Sequence, residues 1–257
     1  MTAILGLATV LMFTSLIVAF SVLAARKGKS AGSGRAGSPQ ISRDIPGLDQ
    51  LPQAVGEAVE SGRRLHIAIG SGALGGQDTS TALAGLSAAG QIASVAVVGD
   101  RPPLITTADG ASMLLAYDLL TEAHKGANAS DRFDPNAARV VGLSPESYAA
   151  GALVLPKDEK LAGTVLLGAA GPEAALILDA NTRAGLTTIA GVDKVATQAA
   201  LFAAADHPVL GEDVFAAGAY ISRRPALLAS LQAQDWMRML VIGGIALGVL
   251  AKTMGWL

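Results

Sequence analysis

A glycine-rich segment in the first half of the chain has the spacing of a phosphate-binding loop. Residues 70–75 read Gly-Ser-Gly-Ala-Leu-Gly, directly after the apolar run 65–69 and before a helical pattern that begins near Thr79. Glycines let the backbone approach a pyrophosphate closely, and the start of a helix supplies amide donors. Asp100, after the next apolar run, could accept a hydrogen bond from a ribose hydroxyl. The pattern predicts a weak ligand site, formed by Gly70, Ser71, Gly72, Gly75, Thr79 and Asp100.

The same segment also has a simpler interpretation, a tight turn between a strand and a helix. The chain holds 30 glycines in 257 residues, so chance matches to this pattern are common. Asp100 lies 25 residues after Gly75, which is longer than the usual interval. Asp78 would place a negative charge beside bound phosphates. The turn is therefore the favoured interpretation.

Other chemistries are excluded by residue types and spacing. There is no cysteine, which excludes thiolate nucleophiles, disulfides and cysteine-ligated metals. The three histidines lack ligand spacing, so no metal site is predicted. Ile69 stands where a nucleophile elbow around Ser71 would need glycine. No catalytic residue and no cofactor is predicted, and a net charge of −2 gives no field that would hold nucleic acid.

Polar residues also gather where strands should end. A ligand pocket at this edge is one interpretation, and it would comprise Ser71, Thr79, Asp100, Thr107, Asp109 and Glu173. The alternative is that Asp109 and Glu173 cap the helices that follow them, and this is the favoured one.

The elements that must position these residues alternate between strands and helices. Strands are predicted at residues 65–69, 93–98, 104–107, 139–142, 163–167 and 186–190. One helical pattern runs from Thr79 to Gly90, and others begin near residue 111, at Pro145 and Pro172, and near residues 192 and 211. This alternation predicts an α/β domain with a mostly parallel sheet and flanking helices, a Rossmann-like arrangement.

Apolar segments occupy both ends of the chain. Residues 3–25 contain no charge, and 23 such residues are long enough to cross a bilayer as a helix. A cleaved signal peptide is the alternative, but no basic residue precedes the run. Residues 237–257 are apolar except for Arg238 and Lys252, whose long side chains could reach the headgroups. We therefore expect one N-terminal and one C-terminal transmembrane helix.

These patterns divide the chain into four parts. Residues 1–25 form a transmembrane helix, 26–46 a basic Gly/Ser-rich linker, and 47–225 the soluble α/β domain. Residues 226–257 form an amphipathic lead-in and the second transmembrane helix. Basic residues flank the inner side of both spans, which predicts a cell-membrane protein whose domain faces the cytoplasm.

Small residues four apart occur within both apolar segments. They allow close helix packing, and the pairs are Gly244 with Gly248 and Ser15 with Ala19. The expected partners are therefore the lipid bilayer, and either a second copy of the chain or other membrane proteins.

Several segments between residues 65 and 236 carry a recognisable pattern, and they are HIAIGSGALGG, DRPPLITTADG, SPESYAAGA, LLGAAGPEAALILDA and QAALFAAADHPVLGEDVFAAGAY. Together they resemble an uncharacterised family of bacterial membrane-anchored proteins. The resemblance implies a bacterial membrane protein of unknown function and transfers no site residues. Two functions remain open: an assembly module or subunit of a membrane complex, or an α/β domain that binds a nucleotide or small ligand, with or without catalysis, at residues 70–75.

Overall fold

The computed structural model describes residues 44–222 and 225–254, together with isolated positions between residues 11 and 22. The chain divides into two compact units, one comprising Asp44–Ser222 and the other Met1–Arg43 with Arg223–Leu257. Most of the predicted first span and nearly all of the predicted linker lie outside the described residues.

The unit Asp44–Ser222 alternates strands and helices. Its strands are β1 (Arg64–Gly70), β2 (Leu104–Thr107), β3 (Ala138–Val140), β4 (Leu161–Ala169), β5 (Thr187–Val192) and β6 (His207–Leu210). Its helices are α1 (Pro46–Asp49), α2 (Leu51–Glu60), α3 (Thr79–Ala96), α4 (Gly110–Gly126), α5 (Pro145–Leu153), α6 (Leu155–Asp158), α7 (Ala174–Arg183), α8 (Val195–Ala204) and α9 (Asp213–Ser222).

The six strands form one sheet in the order β3-β2-β1-β4-β5-β6, and every pair is parallel. The sheet begins with the central strand β1; the chain then adds β2 and β3 on one side, returns to form β4 beside β1, and adds β5 and β6 on the other side. The predicted Rossmann-like α/β fold is thereby confirmed. The strand order reverses between β1 and β4, which is where ligands bind in open sheets of this kind.

Small side chains set how closely the layers pack. All seven residues of β1 are buried, and its neighbour β4 is buried along almost its whole length. Gly85 of α3 lies directly against the carbonyl oxygen of Leu167 on β4, where a Cβ atom would collide with it. The aliphatic core is completed by α5, α7 and α8 around residues such as Leu166 and Ile177. This packing explains how a chain with few aromatic residues fills its core.

One predicted strand is wrong, and one strand of the sheet was not predicted. The strand predicted at residues 93–98 is the end of α3, which continues through Gly90 to Ala96. Gly90 does not end the helix, because it faces the Leu119 side chain of α4 and its lack of a Cβ allows the two helices to approach. Strand β6 was not predicted, because Pro208 is unusual inside a strand and is tolerated at a sheet edge.

The second unit contains one long described helix, α10 (Pro225–Thr253). The described side chains from Met239 to Leu250 are all exposed, and most of them are large and apolar. Among the described residues, no helix reaches the combination of length and apolarity that a membrane crossing requires.

Candidate functional site

The loops that follow β1 and β4 meet at the carboxyl edge of the sheet. The Ser71 hydroxyl donates a hydrogen bond of 2.5 Å to Oε1 of Glu173, and the Gly171 amide donates to the same oxygen at 2.8 Å. Ser71 and Glu173 are 102 residues apart in sequence, and they meet because β1 and β4 are neighbours. We call this the Ser71–Glu173 pair. It lies at the reversal of the strand order.

The first half of the glycine loop is packed onto β4. Gly70 has a φ of +99°, and a Cβ there would collide with the Ala169 carbonyl oxygen. The Gly72 amide donates to that same oxygen at 2.9 Å. Glycine is needed here for contact between two strands, and the Gly72 amide is already used. This half of the loop therefore behaves as the tight turn that the sequence favoured.

The second half of the loop is open but does not have pyrophosphate-binding geometry. Gly75 is exposed with a φ of +92°, and no described atom lies within 4 Å of the position of a Cβ. Its amide donates to the Thr79 hydroxyl at 2.9 Å, and that hydroxyl donates to the Gly76 carbonyl at 2.7 Å. Because α3 begins only at Thr79, Gly75 lies outside the helix that it would open in a dinucleotide site.

Asp109 follows β2 and caps α4, as one of the two interpretations predicted. One of its carboxylate oxygens accepts hydrogen bonds from the Ser112 amide at 2.8 Å and the Ser112 hydroxyl at 2.9 Å. The Leu74 amide points at the same oxygen from 3.4 Å. Burial alone would raise the pKa of Asp109, but these hydrogen bonds outweigh it and hold the pKa below its usual value. Asp109 therefore stays ionised beside the glycine loop.

One prediction about a carboxylate holds only in part, and another is wrong. Glu173 occupies the N-cap position of α7, but its side chain makes no capping hydrogen bond, because it turns back to Ser71 and the Gly171 amide. Asp100 does not follow a strand, since residues 93–96 belong to α3 and Asp100 precedes β2. Its carboxylate lies near Gly62, just before β1, at the opposite edge of the sheet. The other five predicted ligand residues lie together in or beside the loop after β1.

A buried polar network that sequence reasoning missed lies on one face of the sheet, below this edge. His66 of β1 bonds through Nε2 to the Thr106 hydroxyl at 2.8 Å and through Nδ1 to the Thr164 hydroxyl at 3.3 Å. Thr106 bonds onward to the Tyr148 hydroxyl at 3.0 Å, and Thr164 donates to Asn181 at 2.9 Å. All five side chains are buried. The signal available in the sequence was a histidine in the apolar run 65–69 together with threonines in two later apolar runs, 104–107 and 163–167.

The network joins the candidate site to the core through Tyr148. Burial, reinforced by the negative charge of Glu173, raises the pKa of Tyr148 to about 12, although hydrogen bonds from Thr106 and Gly70 act against the shift. Burial, reinforced by the positive charge of Arg139, lowers the pKa of His66 to about 3. Both rings are neutral near pH 7, so Glu173 is the charged group above a neutral buried network.

Two further carboxylates lie at the carboxyl edge. Asp78 pairs with Lys194 at 3.0 Å, and Asp193 accepts from the Thr81 hydroxyl at 2.5 Å. The second oxygen of Asp193 is buried without a described partner. No group of three His, Cys, Asp or Glu side chains with metal-binding geometry occurs among the described residues. The edge is thus rich in hydrogen-bond acceptors.

A family model matches residues 3–257 of the chain, and its description is a domain of unknown function, DUF6754. The chain belongs to this family. The match confirms the resemblance to an uncharacterised family, and it carries no activity, source or location. No curated protein and no solved structure matches the chain.

The predicted helix-packing residues of this DUF6754 chain lie partly within the described residues. Gly244 and Gly248 lie one turn apart on α10, and no described atom comes within 4 Å of the position of a Cβ at either. At the other end of the chain, Ser15 and Ala19 both lie in helical positions, and the Ser15 hydroxyl donates to the Met12 carbonyl at 2.8 Å.

Proposed function

We propose that this DUF6754 protein is a membrane-tethered α/β domain that binds a small ligand at the carboxyl edge of its sheet. The Ser71–Glu173 pair is the observation that supports ligand binding. It lies at the β1–β4 reversal, the position where open α/β sheets bind ligands.

The groups at this edge favour a ligand that donates hydrogen bonds. Glu173, Asp109 and Asp78 supply carboxylate oxygens, and Lys194 is already paired with Asp78. The Gly72 amide, a natural phosphate donor, is bonded to the Ala169 carbonyl. Ligands with hydroxyl or amino groups, such as a nucleoside, a sugar or a polyamine, fit these acceptors. A dinucleotide held by its pyrophosphate does not.

Thermal unfolding of the full chain in detergent tests the binding proposal. We expect adenosine, ribose or spermidine at millimolar concentration to raise the unfolding temperature, because a ligand that binds only the folded state stabilises it. Glu173→Gln removes the acceptor charge and should abolish the shift. The control is Glu122→Gln, which makes the same change on the exposed surface of α4.

Comparison of adenosine with the phosphate-containing compounds AMP and NAD distinguishes a ligand that donates hydrogen bonds from one that is held by its phosphates. AMP and NAD should stabilise the protein less than adenosine at equal concentration. A shift by NAD that exceeds the adenosine shift and survives Glu173→Gln would contradict the proposal, as would the absence of a shift with every one of these probes.

The proposal that the domain is tethered to a membrane rests on where the chain enters and leaves the domain. Helix α1 packs against β6, and Gly47 lies so close that a Cβ there would come within 2.5 Å of the Pro208 carbonyl oxygen. Near the other end, the Tyr220 hydroxyl bonds to Asp49 of α1. The chain therefore enters and leaves the domain at one place, and an apolar segment lies farther along the sequence on each side, at residues 3–25 and 237–257. Two apolar segments connected to neighbouring ends of one domain suit attachment to one bilayer.

Alkaline carbonate washing of membranes that contain the full chain tests the tether. Apolar segments that are covered by lipid keep the protein in the membrane pellet, and release into the supernatant would contradict the proposal. Protease digestion of sealed vesicles then tests the sidedness, with the domain expected on the cytoplasmic side because the basic flanks lie on its side of both segments.

Self-assembly is a second candidate, favoured by the open surface around Gly244 and Gly248. A second α10 could approach closely there because neither glycine has a described neighbour within 4 Å of a Cβ position. Paired Gly244→Ile and Gly248→Ile substitutions should abolish chemical cross-linking between copies in membranes, and Gly243→Ile is the matched control. Cross-linking that survives the paired substitution, or its absence from the unsubstituted protein, would contradict this candidate.

A further inference from the structure

The hydrogen bonds on Glu173 fill one of its two carboxylate oxygens from within the protein. Oε1 of Glu173 accepts from the Ser71 hydroxyl at 2.5 Å and from the Gly171 amide at 2.8 Å. A carboxylate oxygen offers two lone pairs, so these two donors use the hydrogen-bonding capacity of Oε1. A ligand that donates a hydrogen bond to Oε1 must therefore displace one of them.

Oε1 is also the oxygen that the proposed ligand would meet. The other oxygen, Oε2, lies over the main chain of its own loop, because a Cβ at Gly171 would come within 2.5 Å of it. Oε1 is turned instead toward the loop after β1, from which Ser71 reaches it. Ligands bind in open sheets at the reversal of the strand order, here between β1 and β4.

Only one of the two donors on Oε1 can leave without a movement of the backbone. Gly171 donates through its main-chain amide, whereas Ser71 donates through a side chain that one χ1 rotation turns away. Ser71 is partly exposed, so its rotated hydroxyl can bond to water. The loop does not depend on that hydroxyl, because the Gly72 amide separately donates to the Ala169 carbonyl at 2.9 Å. Ser71 can therefore release Glu173 while the loop stays in place.

We propose that the Ser71 hydroxyl is an autoinhibitory latch, which occupies Oε1 of Glu173 until a hydrogen-bond donor of the ligand displaces it. This inference rests on the proposed ligand site and adds how access to that site is controlled. A hydroxyl held by the chain competes with the ligand at a high effective concentration. The apparent affinity for the ligand is then the intrinsic affinity reduced by the small fraction of unlatched molecules.

Removal of the Ser71 hydroxyl tests the latch, because a latch and a ligand contact predict opposite changes in affinity. Adenosine, ribose and spermidine are titrated separately into the full chain in detergent by isothermal titration calorimetry. A probe that binds the unsubstituted protein should bind Ser71→Ala at least about threefold more tightly, since the competing bond is gone. If Ser71 instead contacts the ligand, Ser71→Ala should bind it more weakly.

Two further variants complete the series. Ser71→Cys carries a thiol, a weak donor, and should give a smaller gain in affinity than Ser71→Ala. It also tests the latch if Ser71→Ala does not fold, because it should still bind more tightly than the unsubstituted protein. Ser94→Ala is the matched control, the same change at an exposed position near the other end of α3, and should leave the affinity unchanged.

A double variant tests whether the gain acts through Glu173. Ser71→Ala combined with Glu173→Gln should bind the probes as weakly as Glu173→Gln alone, because the latch has no other acceptor. A gain from Ser71→Ala that survives Glu173→Gln would overturn the latch.

The same titrations separate failure of the latch from failure of the ligand site. If the unsubstituted protein binds a probe and Ser71→Ala binds it equally or more weakly, the latch is wrong and the ligand site stands. If none of the three probes binds either protein, both proposals are wrong.

Discussion

The two edges of the sheet both carry charged side chains, but only one edge balances them internally. At the amino edge, Arg64 pairs with Asp134 at 2.5 Å and with Glu159 at 3.0 Å, and Arg139 also bonds to Glu159. At the carboxyl edge, carboxylates follow four of the strands and Lys194 pairs with one of them. These carboxylates are Asp78, Asp109, Glu173 and Asp193.

This difference assigns a different role to each edge. At the amino edge, burial would raise the pKa of Asp134 and of Glu159, yet their arginine partners hold both pKa values below the usual range. The charges there stabilise one another and the fold. At the carboxyl edge, the carboxylates outnumber the cations that the structure places beside them, which suits a surface that binds hydrogen-bond donors. The amino edge is structural, and the carboxyl edge is where we propose that the ligand binds.

Removal of Arg64 should produce the largest effect. Arg64→Ala leaves Asp134 and Glu159 with Arg139 as the nearest partner, and breaking a buried ion pair from one side costs roughly 3–5 kcal/mol. Urea denaturation of the full chain in detergent measures the loss. Arg183→Ala, which removes an exposed pair with Asp179, should cost below about 1 kcal/mol. Equal losses from the two variants would refute the structural role of the amino edge.

Substitution of the loop glycines tests which half of the glycine loop at the carboxyl edge is packed against the sheet. Gly70→Ala adds a Cβ that collides with the Ala169 carbonyl, at a positive φ, and should cost about 3 kcal/mol. Gly75→Ala has a similar φ but open space, and should cost about 1 kcal/mol. The same denaturation measurement compares them. A cost for Gly75→Ala as large as that for Gly70→Ala would show that the outer half of the loop is also packed.

Acid should destabilise the buried network between the two edges. The pKa of His66 is about 3 in the folded state and about 6.5 in the unfolded chain, so below pH 6.5 the unfolded chain binds a proton that the folded protein does not. Stability then falls as the pH drops from 6.5 toward 3, by about 2 kcal/mol at pH 5. His66→Gln should remove that part of the slope, and His207→Gln should leave it. An unchanged slope in His66→Gln would contradict the assignment.

Five of the six strands and the fold class could be predicted from local pattern, because runs such as residues 65–69 and 104–107 are short, apolar and bounded by turn residues. The strand predicted at 93–98 failed because Gly90 looks like a helix end, and its packing partner Leu119 lies on another helix. The pocket interpretation placed Ser71 and Glu173 at one edge of the sheet, but their direct hydrogen bond could not be predicted, since it depends on which strands become neighbours. No local spacing indicates that β4 returns beside β1.

The most direct test of the account compares Glu173→Gln with Glu159→Gln, the same change made at the two edges. The free energy of unfolding in urea, measured on the full chain without ligand, is the readout. We expect Glu159→Gln to lose roughly 3 kcal/mol or more, because it leaves Arg64 and Arg139 short of a partner, and Glu173→Gln to lose about 1 kcal/mol at most. A loss from Glu173→Gln as large as that from Glu159→Gln would show that the carboxyl edge is also structural, and would contradict the account.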